Sequence, residues 1–110
     1  MNTLLESYLV DVKHPDVSGI EHLQMLQTRS ELAKVEQQLT SEERQALAEA
    51  DRKLAMDAAH FLAELSRFVN LAEERRQRQP EPDEWWWYLD ILMRAPALPK
   101  RPYQPGIVPA

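Results

Sequence analysis

The chain reads as an all-α protein: an antiparallel helical hairpin with a long second helix, short N- and C-terminal helices packed on it, and a Pro-rich disordered C-terminal tail. Four observations predict this. Between Ser41 and Arg78 the apolar residues Leu47, Ala50, Leu54, Ala58, Phe61, Leu65, Phe68 and Ala72 recur at steps of three and four, the face of a straight α-helix. No Gly or Pro interrupts that run. Capping-box pairs stand at Thr3 and Glu6, Ser18 and Glu21, and Thr40 and Glu43, each just ahead of an apolar helical pattern. Five of the 8 prolines fall in the last fifteen residues, a composition that supports neither helix nor central strand.

The first element is a short helix opening near Thr3, with Leu5, Tyr8, Leu9 and Val12 on one face and an end before His14-Pro15. Ser18 then caps a second helix reaching about Gln38, with Val17 as a possible staple. Its apolar residues form two sides, Ile20, Leu23, Leu26 and Ala33 against Met25, Leu32, Val35 and Leu39, so it needs more than one neighbour. Thr40 offers the backbone an alternative to continuing, and Leu39–Ser41 is read as a tight loop closing the hairpin. The alternative is one continuous helix from Ser18 to Arg78.

Glu42 and Glu43 at the start of the long helix, and Arg75, Arg76 and Arg78 at its end, suit the helix dipole. Pro80 and Pro82 stop it. At about 1.5 Å per residue such a helix would be about 55 Å long. Its second half, with Phe61, Leu62, Leu65, Phe68 and Val69, then outruns the hairpin and needs cover from the N-terminal helix, from Asp83–Arg94, or from a second copy of the chain. Leaving those side chains wet would forgo about 1.5–3 kcal/mol each. Asp83 is the expected N-cap of a helix through Trp85, Trp86, Trp87, Tyr88, Leu89, Ile91, Leu92 and Met93. Residues 1–95 are expected to form a single helical domain and 96–110 an extended tail.

Composition narrows the chemistry. Eighteen acidic against thirteen basic residues give a net charge of −5, so nucleic acid and anionic membrane surfaces are not expected partners. Thiol catalysis, disulfides and thiolate metal sites are excluded because the chain has 0 Cys. Only 2 Gly are present, too few for a phosphate-cradling loop. No run of 18 apolar residues occurs, and the N-terminus lacks a basic segment leading into an apolar one, so a cytoplasmic location is expected.

Three consecutive Trp are the rarest feature. On an α-helix they sweep about 200° of surface, so one flat interface cannot take all three. Part of the run is expected in the core, and at least one ring, with Tyr88, on a docking surface for another protein or a second copy of this one. Trp and Tyr bury much area at small entropic cost. The assigned protein-binding residues are Trp85, Trp86, Trp87 and Tyr88. Asp57, His60 and Glu64 at i, i+3 and i+7 support a second reading, a helical-bundle metal protein or enzyme. Di-iron bundle sites have Glu where this motif has Asp57 and need further carboxylates facing inward, so no catalytic, metal or cofactor site is assigned and the chain is read as non-enzymatic. His22 is expected on the surface and His14 in a loop. Pro96-x-x-Pro99-x-Arg101 matches a Pro-rich ligand for an aromatic groove. The expected function is a small helical adaptor or scaffold.

Overall fold

Helix starts here are set by short polar side chains that satisfy the first free backbone N–H groups. In the computed structural model, which describes residues 1–94, α1 (Thr3–Val12) begins at Asn2, whose side-chain oxygen accepts the Leu5 N–H at 3.1 Å. Thr3, the expected cap, is therefore the first helical residue. Ser18 caps α2 (Gly19–Val35) by accepting the Ile20 N–H. A 3-10 turn, Glu36–Gln38, leads through extended Leu39 to Thr40, the cap of α3 (Ser41–Met56). The turn lies where the sequence places it.

The capping box at Thr40 is complete. Thr40 Oγ1 accepts the Glu43 N–H at 3.1 Å, and Glu43 Oε1 accepts the Thr40 N–H at 2.9 Å. The second Glu43 oxygen accepts the Asn2 N–H at 2.9 Å, so one carboxylate sits on the N-terminal ends of two helices. The N–H groups of Thr40 and Asn2 hold this carboxyl below the usual glutamate range. The stability it adds is present above that range and is lost as pH falls through the lowered value. Thr40→Ala is expected to cost about 0.5–2 kcal/mol in thermal or urea melts at neutral pH. Glu43→Gln should flatten the acid limb of a plot of Tm against pH.

The expected helix from Ser41 to Arg78 is three helices, α3, α4 (Ala58–Leu65) and α5 (Leu71–Arg78). The first interruption is Asp57, at φ −98 and ψ 17, which still donates its N–H to Lys53 O while its own carbonyl accepts from His60 and Phe61 to restart the helix. The second covers Ser66–Asn70, where Asn70 Oδ1 caps α5 by accepting the Glu73 N–H at 3.0 Å. Bending serves burial. A straight rod cannot place α3 against α1 and α4 against α2 at once, and the broken chain has a longest extent of 38 Å instead of a 55 Å spine. The expected apolar face holds from Leu47 to Leu65, all six of its members being buried. It fails beyond, because α4 has ended: Phe68, expected in the core, is 54% exposed, and Ala72 is exposed.

α1 packs against both α2 and α3, α2 against α4, and α4 against α6 (Leu89–Arg94). The two expected hairpin arms, α2 and α3, thus have α1 as their main shared neighbour. At the crossing of α2 and α4 a Cβ on Gly19 would collide with the Glu64 carbonyl oxygen and the Phe68 ring. The missing side chain is what allows so close an approach.

The buried face of α2 is Gly19, His22, Met25, Leu26, Arg29 and Leu32, at helical spacing but with two polar members. Ile20 and Ala33, expected on a packed side, are exposed. His22, expected on the surface, is 1% exposed; its ring stands edge-on to Phe61 at 4.7 Å and donates Nε2–H to the Pro15 carbonyl at 3.0 Å. No helix among the described residues is long and apolar enough to cross a membrane. The expected tail, 96–110, lies outside the described residues, as does its Pro96-x-x-Pro99-x-Arg101 motif.

Candidate protein-docking surface

α5 ends at Gln79, in the left-handed region at φ 49, and Pro80 and Pro82 carry the chain away from it. The aromatic run then forms a 3-10 turn, Trp85–Tyr88, and the α-helix begins only at Leu89. Asp83 does not cap it; Glu84 precedes the turn and accepts the Trp87 N–H at 3.2 Å. At three residues per turn the three indoles diverge by about 120° each. Trp86 and Trp87 nevertheless both turn to the buried side, and Trp85 stays at the edge.

Trp86 and Trp87 are buried at 2% exposure each, so neither ring presents the docking surface expected of it. Their indole Nε1–H groups both donate to Ser30 Oγ, at 3.0 and 2.9 Å, and the Ser30 hydroxyl donates to Glu84 Oε1 at 2.7 Å. The other Glu84 oxygen accepts the Glu81 N–H. One serine on α2 therefore clamps the segment, and the acceptor it needs is supplied by the residue just before the turn. Trp86 also lies against the Arg29 guanidinium at 4.2 Å, and Trp87 against that of Arg78 at 4.6 Å.

Behind Trp86 lies a polar cluster. Asp51 on α3 takes Arg29 in a two-pronged pair, Nε to Oδ1 at 2.9 Å and Nη2 to Oδ2 at 3.0 Å, and Tyr8 on α1 donates its hydroxyl to Oδ1 at 2.7 Å. Burial works against the Arg29 cation, but the Asp51 hydrogen bonds and charge outweigh it and its pKa is raised. The Tyr8 hydroxyl is pushed far up, first by burial and then by the neighbouring Asp51 charge. Three helices and the aromatic turn meet on these groups.

Trp85 and Tyr88 remain half-buried. Trp85 stands edge-on to Trp86 at 5.7 Å, and Tyr88 carries the Arg75 guanidinium over its ring at 4.8 Å. Arg75 is held in turn by both Asp90 oxygens and by the Trp87 carbonyl. Burial raises the Asp90 pKa, but the Arg75 bonds and charge outweigh it, leaving this carboxyl below its usual range. Tyr88 is thus held by Arg75, and Trp85 rests on the anchored Trp86.

Asp57, His60 and Glu64 take separate partners. Asp57 accepts from Lys53 Nζ at 2.7 Å, exposed His60 donates to Asp16 at 2.7 Å, and Glu64 faces Arg67 at 3.8 Å. Among the described residues no group of three His, Cys, Asp or Glu is placed to hold a metal ion. Sequence reasoning missed Ser30, Arg29, Asp51 and the Tyr8 hydroxyl. The available signal was their helical register, Arg29 falling seven residues after buried His22 and Tyr8 lying on the apolar face of α1.

No family model, curated protein or solved structure matches this chain.

Proposed function

We propose that this chain is a non-enzymatic helical adaptor that binds another protein through its aromatic C-terminal segment, with Trp85 and Tyr88 as the contact residues. The observation that supports this reading is the mounting of those two rings. Trp86 and Trp87 anchor the segment to Ser30, and Arg75 fixes Tyr88, so the half-exposed rings lose little conformational freedom when a partner covers them. Trp86 and Trp87 act as anchors within the chain and not as contacts.

The test is capture by immobilised protein from its native cell, run in parallel with a Trp85→Ser, Tyr88→Ser double variant. Both residues are half-buried, so melting curves first establish that the variant remains folded. A protein retained by the wild type and lost with the variant is the expected result. Equal retention by both, or retention of nothing by either, counts against the reading. Sedimentation of the purified chain across a hundredfold concentration range identifies the case in which the partner is a second copy.

A further inference from the structure

Where α4 gives way to α5 the surface is hollow. A groove of about 540 Å³ runs there, with Leu62, Phe68, Val69 and Leu71 as its apolar lining and Asp90 of α6 at one side. That volume is in the range that holds a ligand or a few peptide side chains. Ser66, Arg67 and Asn70 line it as well, so hydrogen-bond donors stand beside the apolar side chains. Phe68 is 54% exposed.

The polypeptide leaves the described structure beside this groove. Asp90 belongs to the lining, and Arg94, the last residue of α6, is one helical turn further on, about 6 Å along the axis. Residues 95–110 follow. Pro96, Pro99, Pro102 and Pro105 recur at every third position, the period of a polyproline II helix, so in that conformation all four share one edge. Proline has no N–H, and a polyproline II backbone leaves its carbonyls unpaired, so such a strand presents acceptors and apolar rings. The groove offers the complement, donors and apolar side chains. The two parts of the chain are opposite in net charge: all eighteen acidic residues precede residue 95, while the segment beyond carries Lys100 and Arg101 and no acid. Sixteen residues at about 3.1 Å each reach about 50 Å, so length does not limit the return to a groove one turn away.

We propose that the groove between the α4–α5 connection and α6 is the docking site of this chain's own C-terminal segment, residues 95–110, laid against Phe68. This inference does not rest on the adaptor reading. It assigns Phe68 a role, since an aromatic face is what a proline-rich strand packs upon.

The chain has 0 Cys, so a single Gln104→Cys substitution in the full-length protein takes one nitroxide label. Amide signals of Val69, Asn70 and Leu71 are expected to lose more than half of their intensity, while those of Glu49 and Arg52 on α3 keep theirs. Phe68→Asp, a change at a half-exposed ring, should restore the lost intensity. Loss spread evenly over both sets, or loss in neither, overturns the proposal. So does loss of the groove signals in a mixture of labelled protein with a separate, isotope-enriched unlabelled chain, because the segment would then come from another copy.

Discussion

Asp51→Ala is expected to unfold more of this protein's stability than any cap or surface change. It strips the counter-charge from Arg29, whose side chain is 5% exposed, and removes the acceptor of the Tyr8 hydroxyl. Breaking one side of a buried ion pair typically costs about 3–5 kcal/mol. Asp51 itself is 19% exposed, so the lower end, about 3 kcal/mol, applies. In a domain of this size that lowers Tm by more than about 10 °C. Glu36, 3.6 Å from the same guanidinium, compensates little because it is 45% exposed. The informative companion is the double variant Arg29→Met, Asp51→Leu. If the penalty comes from an uncompensated buried cation, replacing both partners recovers most of the loss. If the double variant melts as low as Asp51→Ala, the three-helix contact needs the hydrogen-bond geometry itself.

The same cluster sets an alkaline limit. The native state holds the Tyr8 proton far above the ordinary tyrosine value, whereas the unfolded chain releases it near about pH 10. The unfolded state therefore binds fewer protons above that pH, and stability falls as pH rises past it. Tyr8→Phe should melt lower at neutral pH, having lost its bond to Asp51, yet decline less steeply above pH 10.

Legibility in the sequence followed the type of interaction. Helix class, the Thr40 turn and the apolar face from Leu47 to Leu65 were readable because each rests on local spacing and on one side chain's reach to the backbone. Asp57 carries no comparable signal: neither Gly nor Pro stands there, and the break exists because α1, α2 and α6 must all be packed, a tertiary demand. The break before α5 did carry one. Asn70, followed by Glu73 and Glu74, is the same kind of start as Thr40 and Glu43, and it stands five residues after Leu65, where α4 and the apolar face end. An uninterrupted spacing through Phe68 and Ala72 concealed it. Polar members of a core escape any apolar pattern, which is why His22 is expected on the surface and Arg29 enters neither apolar side of α2, although both are buried. For the candidate site, helical geometry says that no single face takes all three rings, and Trp85 is indeed parted from Trp86 and Trp87, but the partner that holds those two is a serine fifty-six and fifty-seven residues away, beyond any local rule.

The aromatic run itself supplies the second large effect. Trp86→Ala and Trp87→Ala are each expected to cost about 3–5 kcal/mol, the range for removing a buried Trp from a packed core. Trp85→Ala, at a half-buried ring outside the Ser30 clamp, should cost clearly less. Ser30→Ala tests the clamp directly. It leaves two buried indole N–H groups without their acceptor, a loss of about 1–3 kcal/mol that a mere change of side-chain volume at a half-buried serine does not produce. Fluorescence quenching by acrylamide follows the same division: a protected majority from Trp86 and Trp87 and a quenchable fraction that disappears in Trp85→Phe. If instead Trp86→Ala and Trp87→Ala melt within about 1 kcal/mol of the wild type, the segment is not anchored on α2. The rigid display of Trp85 and Tyr88, on which the adaptor reading depends, would then fall with it.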